Sequence, residues 1–158
     1  MSEQGPDFLR VGLRRRGVSV RLKLRWDRSP RTCAAVCRRL PVEDQIWHAK
    51  YASNEVYALL PAWEADPPLE WACAYPGPGD LMYIPHPPGL LAKDEGARLV
   101  DLAYFYERGN NLYGPFGPAI GSIFATMTSV EDVEAMAEAC HDVWFNGLKD
   151  ERLFIEPE

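Results

Sequence analysis

The stretch WHAKYASNEVYALLP, residues 47–61, decides how this chain is read. Two runs of alternating character flank Ala52, Ser53 and Asn54. Successive side chains of a strand point to opposite faces. In the first run, Ile46, His48 and Lys50 therefore face one way, and Trp47, Ala49 and Tyr51 the other. Serine and asparagine satisfy backbone groups locally, so the middle of the stretch reads as a turn. In the return run Glu55, Tyr57 and Leu59 share a face, opposite Val56, Ala58 and Leu60, and Pro61 ends it. The whole is a strand, a turn and a strand, with a carboxylate and a phenol on one side.

Upstream, Val20, Leu22, Leu24 and Trp26 alternate with Arg21, Lys23 and Arg25, which predicts a half-buried strand over 18–26. DRSPRTCAAVCRRLP (27–41) then predicts a helix. Ser29 is its expected N-cap and Pro30 sits at the first helical position, where a missing N–H costs nothing. Arg38 and Arg39 suit the negative end of the helix dipole, and Pro41 stops it. Downstream, EADPP (64–68) is a loop, LEWACAY (69–75) a strand, and PGPGD (76–80) a tight turn into LMYIP (81–85). Asp80 is expected to bond its own turn. Prolines 85, 87 and 88 with Gly89 predict a long loop carrying His86. RLVDLAYFY (98–106) is a strand, GNNLYGPFGPA (109–119) is irregular, and IGSIFATMT (120–128) is a strand. Ser129 should cap a second helix, with Glu131 and Asp132 in its first turn and Val133, Met136, Ala137 and Cys140 as its apolar stripe. Gly147 terminates it and ERLFIEP (151–157) closes the chain as a strand.

Many short strands with one early and one late helix make this a mainly β (α+β) chain. The expected architecture is a closed antiparallel barrel of about eight strands with two helices over its ends. Residues 1–10 are expected as a flexible tail and 11–158 as a single domain. The length of 158 residues fits one domain, and no apolar run approaches the roughly 20 residues that span a bilayer. Arg14, Arg15 and Arg16 precede alternating charge, not an apolar export segment, so a cytoplasmic location is expected. Residues 1–40 carry 11 Lys/Arg and 3 Asp/Glu, and residues 41–158 carry 6 and 20, giving +8 and −14. The alternation at 18–26 assigns the basic residues to a strand face rather than to nucleic acid. Cys33 and Cys37 share a helix face beside Val36 and Leu40. With Cys73 and Cys140 they read as small buried hydrophobes and not as a disulfide framework or, with His141, a metal clip.

SPRTCAAVCRRLP resembles the first helix of cyclophilin-like proteins. NEVYALLP is similar to a Gly-x-Glu-[Ile/Val]-Tyr stretch in small bacterial cyclophilin-like proteins, and PGDLMYIP is similar to their Pro-Gly-Asp turn. FYERGNNLYGPFGPAIGSIFATM resembles a Tyr-Gly-Arg-Asn-Asn-rich segment of a bacterial domain-of-unknown-function family with that fold. The resemblance implies an eight-stranded barrel with two helices and no particular activity. Prolyl isomerisation would need an arginine in a Phe-His-Arg strand, where this chain has Lys50, and a lysine lacks the planar guanidinium fork.

Among candidate functional residues Glu55 comes first, as a carboxylate at a strand start suited to general-base work or to a polar ligand. Tyr51, Asn54, Tyr57, Tyr104, Tyr106, Asn110, Asn111 and Tyr113 are the expected ligand-binding residues, since phenols combine apolar area with a polar tip and Gly/Pro-bounded loops carry recognition. His48 and His86 could join Glu55 on a metal, but no ligand spacing supports one. No Ser/His/Asp array, phosphate-cradling glycine loop or dinucleotide fingerprint is present, and no cofactor is expected. The function expected is the binding of a small polar metabolite, with no nucleic-acid or membrane partner. Alternatives are a homo-oligomeric assembly protein, for which Trp63, Trp71, Phe116 and Trp144 supply aromatic surface, and a prolyl isomerase.

Overall fold

A computed structural model describes residues 4–63, 65–89 and 96–158. β1 (Phe8–Leu13) and β2 (Val18–Leu24) form the first hairpin, so residues 8–10 belong to a strand rather than to a tail. In β2 the expected alternation is present: Val20, Leu22 and Leu24 are buried while Arg21 and Lys23 face out. The turn between the strands is held by one carboxylate. Glu151, fully buried, accepts N–H bonds from Arg15 (2.7 Å), Arg16 (3.1 Å) and Arg152 (2.9 Å), and Nη1 of Arg16 bonds it at 3.0 Å.

Helix α1 (Pro30–Cys37) buries Thr32, Cys33, Ala35 and Val36. Ser29 stands at its N-terminus but does not cap it with its side chain; the hydroxyl donates to the carbonyl of Ile123 at 2.6 Å. Glu70 takes over. Its carboxylate accepts from the amides of Arg31 (3.2 Å) and Thr32 (2.8 Å) and from the Thr32 hydroxyl (2.9 Å), placing negative charge where the first helical N–H groups need an acceptor.

β3 (Val42–Gln45) and β4 (Trp47–His48) follow, separated by Ile46 alone. Then come β5 (Glu55–Pro61), β6 (Ala72–Cys73), β7 (Leu81–His86), β8 (Leu99–Phe105), the small hairpin β9 (Tyr113–Gly114) and β10 (Gly117–Pro118), and β11 (Gly121–Met127). The expected strand over 69–75 contracts to two residues because Glu70 is turned toward α1. His86 lies in β7, not in a loop. Helix α2 (Val130–Asn146) opens with Ser129 accepting from the Asp132 amide at 3.2 Å and buries Val133, Met136, Ala137, Cys140 and Val143. β12 (Arg152–Pro157) ends the fold.

All ladders are antiparallel, and the main sheet runs β3-β12-β1-β2-β11-β7-β8-β5-β4, with β6 pairing β11. This corrects the expected closed barrel of about eight strands. Among the described residues the sheet has ten strands and two edges, and no ladder joins β3 to β4 or β5. The physical reason lies in residues 42–48. The chain spends four residues pairing with β12 and two pairing with β5, and the single residue between them cannot serve both ladders.

The sheet is covered on both faces. On one, side chains such as Leu22, Val56, Leu102, Tyr104 and Phe124 pack with Cys33 and Val36 of α1 and Met136 and Cys140 of α2. On the other, Met82, Ile84, Ala103, Phe105 and Ile123 lie beneath Ala49, Ala52 and Leu112. The first face is sealed by helices and the second by loops. Among the described residues no helix is long and apolar enough to cross a membrane.

Candidate functional site

The loop-covered face can be built row by row from the register. Trp47 of β4 pairs with Tyr57 of β5, which pairs with Ala103 of β8, then Met82 of β7 and Ile123 of β11. Directly paired residues point to the same side of a sheet, with Cβ atoms about 4.5–5.5 Å apart. One row beyond, Glu55 pairs with Phe105; one row to the other side, Leu59 pairs with Asp101 and Asp101 with Ile84. His86 follows in the next row, opposite Leu99. Glu55, Tyr57, Asp101 and His86 therefore share one face with Trp47 at its edge.

Two carboxyls here are almost wholly removed from water: Glu55 is 4% exposed and Asp101 5%. Asp101 Oδ2 lies 3.4 Å from His86 Nε2, while Oδ1 is buried and has no hydrogen-bond partner among the described residues. No hydrogen bond to the Glu55 carboxyl is found among the described residues. Burial pushes Asp101 well above the usual carboxylate range. It does the same to Glu55, and the charge of Asp101 pushes further. Tyr57, half-buried between them, is raised by burial and then by both carboxyls. His86 is lowered by burial, which favours the neutral ring. The face thus holds two acids that keep their protons more strongly than in water, lined by Trp47 and Tyr57. Trp47 is 37% exposed, and Tyr57, Leu59 and His86 are half-buried, so the margin of this face meets solvent.

The other expected site residues are distributed elsewhere. Tyr104 and Tyr106 lie on the helix-covered face, because Glu55 pairs with Phe105 and its neighbours take the opposite side. Tyr104 is fully buried with an unpartnered hydroxyl. Tyr106 belongs to a second cluster. His48 Nδ1 bonds the carbonyl of Ala49 at 2.9 Å, and Nε2 meets the Tyr106 hydroxyl at 2.7 Å. A carbonyl only accepts, so the neutral ring carries its proton on Nδ1 and Nε2 accepts from Tyr106. Trp144 packs on His48, and His141 stands edge-on to Tyr106. These groups tie β4 to α2.

Asn54 and Asn110 hold loops together. Asn110 accepts from the Asn54 amide at 3.0 Å and donates to the carbonyls of Pro76 (2.9 Å) and Glu107 (2.7 Å), while Asn54 donates to Arg108 (2.8 Å). Tyr51, Asn111 and Tyr113 are exposed; Tyr51 and Asn111 lie outside the strands, and Tyr113 pairs with Pro118 in the separate β9–β10 hairpin. Of the expected residues, Glu55 and Tyr57 are brought together. Asp101 and Trp47 join them without having been singled out. Asp101 had a signal: it is the lone charge inside the apolar run LVDLAYF.

All four cysteines are free. Burial pushes the Cys33 thiol up to about 12 and that of Cys37 up to about 11. No group of three or more His, Cys, Asp or Glu among the described residues is arranged to hold a metal ion.

Comparison with known proteins adds a fold neighbour and a family. No curated protein matches the chain. Among solved structures, McbB in complex with tryptophan has a TM-score of 0.60 and 13% sequence identity. The match covers 95% of this chain and 44% of McbB, so the likeness is one of fold and this chain spans less than half of McbB's length. The model of a family described as "Protein of unknown function (DUF3830)" matches residues 11–155, and the chain belongs to that family.

Proposed function

We propose that the protein binds a small organic ligand on the loop-covered face of β5 and β8, seated against Trp47 and Tyr57 with its polar end at Glu55 and Asp101. The observation that carries this reading is Asp101 Oδ1, a buried oxygen with no partner among the described residues. An unsatisfied buried acceptor costs roughly 1–3 kcal/mol, and folds keep such a group where it has work to do. Two perturbed carboxyls on one partly open face add to it. The tryptophan carried by McbB, a fold neighbour, lends support to an aromatic ligand. The proposal is one of binding, and no reaction is assigned. It is tested by calorimetry or thermal shift with a panel of small polar and aromatic metabolites on wild type, Asp101→Asn and Trp47→Ala. Binding that both variants weaken supports the site; binding that neither changes moves the ligand elsewhere and ends the reading.

A second reading, self-association, has exposed aromatics behind it: Phe116 and Phe145 are each 77% exposed and Tyr75 73%. Light scattering at micromolar concentration decides it, and a strict monomer removes it.

A further inference from the structure

The charge of the ligand follows from what surrounds the two acids. This step rests on the binding reading above and deepens it. The titratable groups that face the pair are Tyr57 from β5, His86 from β7 and, packed at the margin, Cys73 from β6. β4 contributes Trp47 to this face, and β11 Ile123. The covering residues Ala49, Ala52, Leu112 and Ala119 do not titrate. Among the described residues, no lysine or arginine is paired with Glu55 or Asp101. The guanidinium of Arg98, one residue before β8, is committed to Asp66 (2.6 Å) and to the carbonyl of Trp63 (3.0 Å).

A buried acid without a cation keeps its proton, because ionising it in a low dielectric is costly. Glu151 shows the alternative within the same chain. Four N–H donors, one of them from the Arg16 guanidinium, surround it, and they hold it ionised against the effect of burial. Asp101 and Glu55 are buried almost as deeply as Glu151, yet among the described residues only His86 Nε2, 3.4 Å from Asp101 Oδ2, approaches either carboxyl. What they lack is an N–H-rich positive group, and Trp47 and Tyr57 on the same face offer aromatic surface to whatever carries it.

We infer that the ligand is an organic amine, a protonated primary or secondary ammonium attached to an aromatic or apolar body, and that its binding expels one proton from the Glu55/Asp101 pair. The exchange balances: the ammonium keeps its own protons and donates N–H bonds to the newly ionised carboxylate, and the carboxylic proton leaves to solvent. An anion would meet two acids and, among the described residues, no fixed cation. A neutral alcohol would gain hydrogen bonds without relieving the cost of ionisation.

The test uses three indoles of similar shape on the full chain: tryptamine as the cation, tryptophol as its neutral counterpart and indole-3-acetate as the anion. Titration calorimetry in two buffers of different ionisation enthalpy counts the protons released. The expected result is a tryptamine affinity at least about tenfold above that of tryptophol, equivalent to one unit of pKa linkage. Release of about one proton per amine bound is expected, with affinity rising as pH is raised toward the pair's elevated pKa. Asp101→Asn should fold at least as stably as wild type, so it reports on binding alone. The Glu55→Gln/Asp101→Asn double variant, which removes both acids, should lose the preference for tryptamine over tryptophol and release no proton. Tryptophol or indole-3-acetate binding as well as tryptamine, in a manner still sensitive to Trp47→Ala, overturns the amine inference and leaves the site standing. Tryptamine binding without proton release also overturns it. If none of the three binds wild type at millimolar concentration, the site and the amine inference fall together.

Discussion

Glu151 and Asp101 are both carboxylates shut away from water, and they answer burial in opposite ways. Burial alone would raise Glu151, but bonds from the amides of Arg15, Arg152 and Arg16 and from the Arg16 side chain outweigh it and hold it low. Replacing it with glutamine leaves those donors facing an amide in place of a charge, and a loss of about 3 kcal/mol in urea denaturation is expected. Its contribution is present above the carboxylate's unfolded pKa and is lost as pH falls through the folded value. Asp101 runs the other way. With its folded pKa raised, the native state holds a proton that the unfolded chain gives up above roughly pH 4. Stability is therefore lost as pH rises from there toward the folded value. Asp101→Asn removes that loss. It should match wild type near pH 4 and exceed it near pH 7 by about 1 kcal/mol, the size of gain seen when a strained functional group is relieved. An Asp101→Asn variant less stable than wild type at neutral pH would show that the carboxyl is structural.

At the scale of elements, α1 takes its cap from a distant segment. Glu70→Ala should cost about 1 kcal/mol, as the loss of a helix cap does, and should expose α1 amides to hydrogen exchange before those of α2. Ser29 was readable as a cap only by position. Ser129, with Glu131 and Asp132 behind it, caps as expected: its hydroxyl donates to the Glu131 carboxylate of its own first turn at 3.1 Å while its oxygen accepts from the Asp132 amide, whereas the Ser29 hydroxyl is drawn away to the carbonyl of Ile123. The alternations at 18–24 and 55–61 were legible because one face of each strand is apolar throughout. VEDQ at 42–45 carries one apolar residue and gave no such signal, yet it pairs fully with β12. The turn at 76–80 was legible from its glycines and Asp80, whose carboxylate accepts from the Gly77 amide at 2.7 Å. Gly79 there has φ +81°, and an added Cβ would lie 2.4 Å from the Cβ of Met127. Gly79→Ala is accordingly expected to cost about 1–3 kcal/mol, measured by the same denaturation. Half of the candidate site was legible: Glu55 and Tyr57 follow from one strand's parity. Their partners needed the register between strands, which sequence periodicity does not carry.

Across the whole molecule, the sheet begins and ends within one short length of chain. β3 forms one edge and β4 the other, and Ile46 is all that separates them in sequence. Its side chain is fully buried and its amide bonds the carbonyl of Glu151 at 3.1 Å, while three residues on the Ala49 amide bonds Glu55 at 2.9 Å. The expected closure would have joined these edges by a ladder; a covalent joint of one residue does it instead. A sheet with two free edges ordinarily frays from each independently. Here a breathing motion that lifts either rim must drag the other through Ile46, so both fluctuate as one event. Ile46→Gly should uncouple them, accelerating deuterium uptake at Val42 and at Ala49 by different factors where wild type shows a shared rate. The rim that carries Trp47 is thereby slaved to the rim that rests on β12, and the mouth of the proposed site inherits the rhythm of strands at the opposite end of the sheet's order.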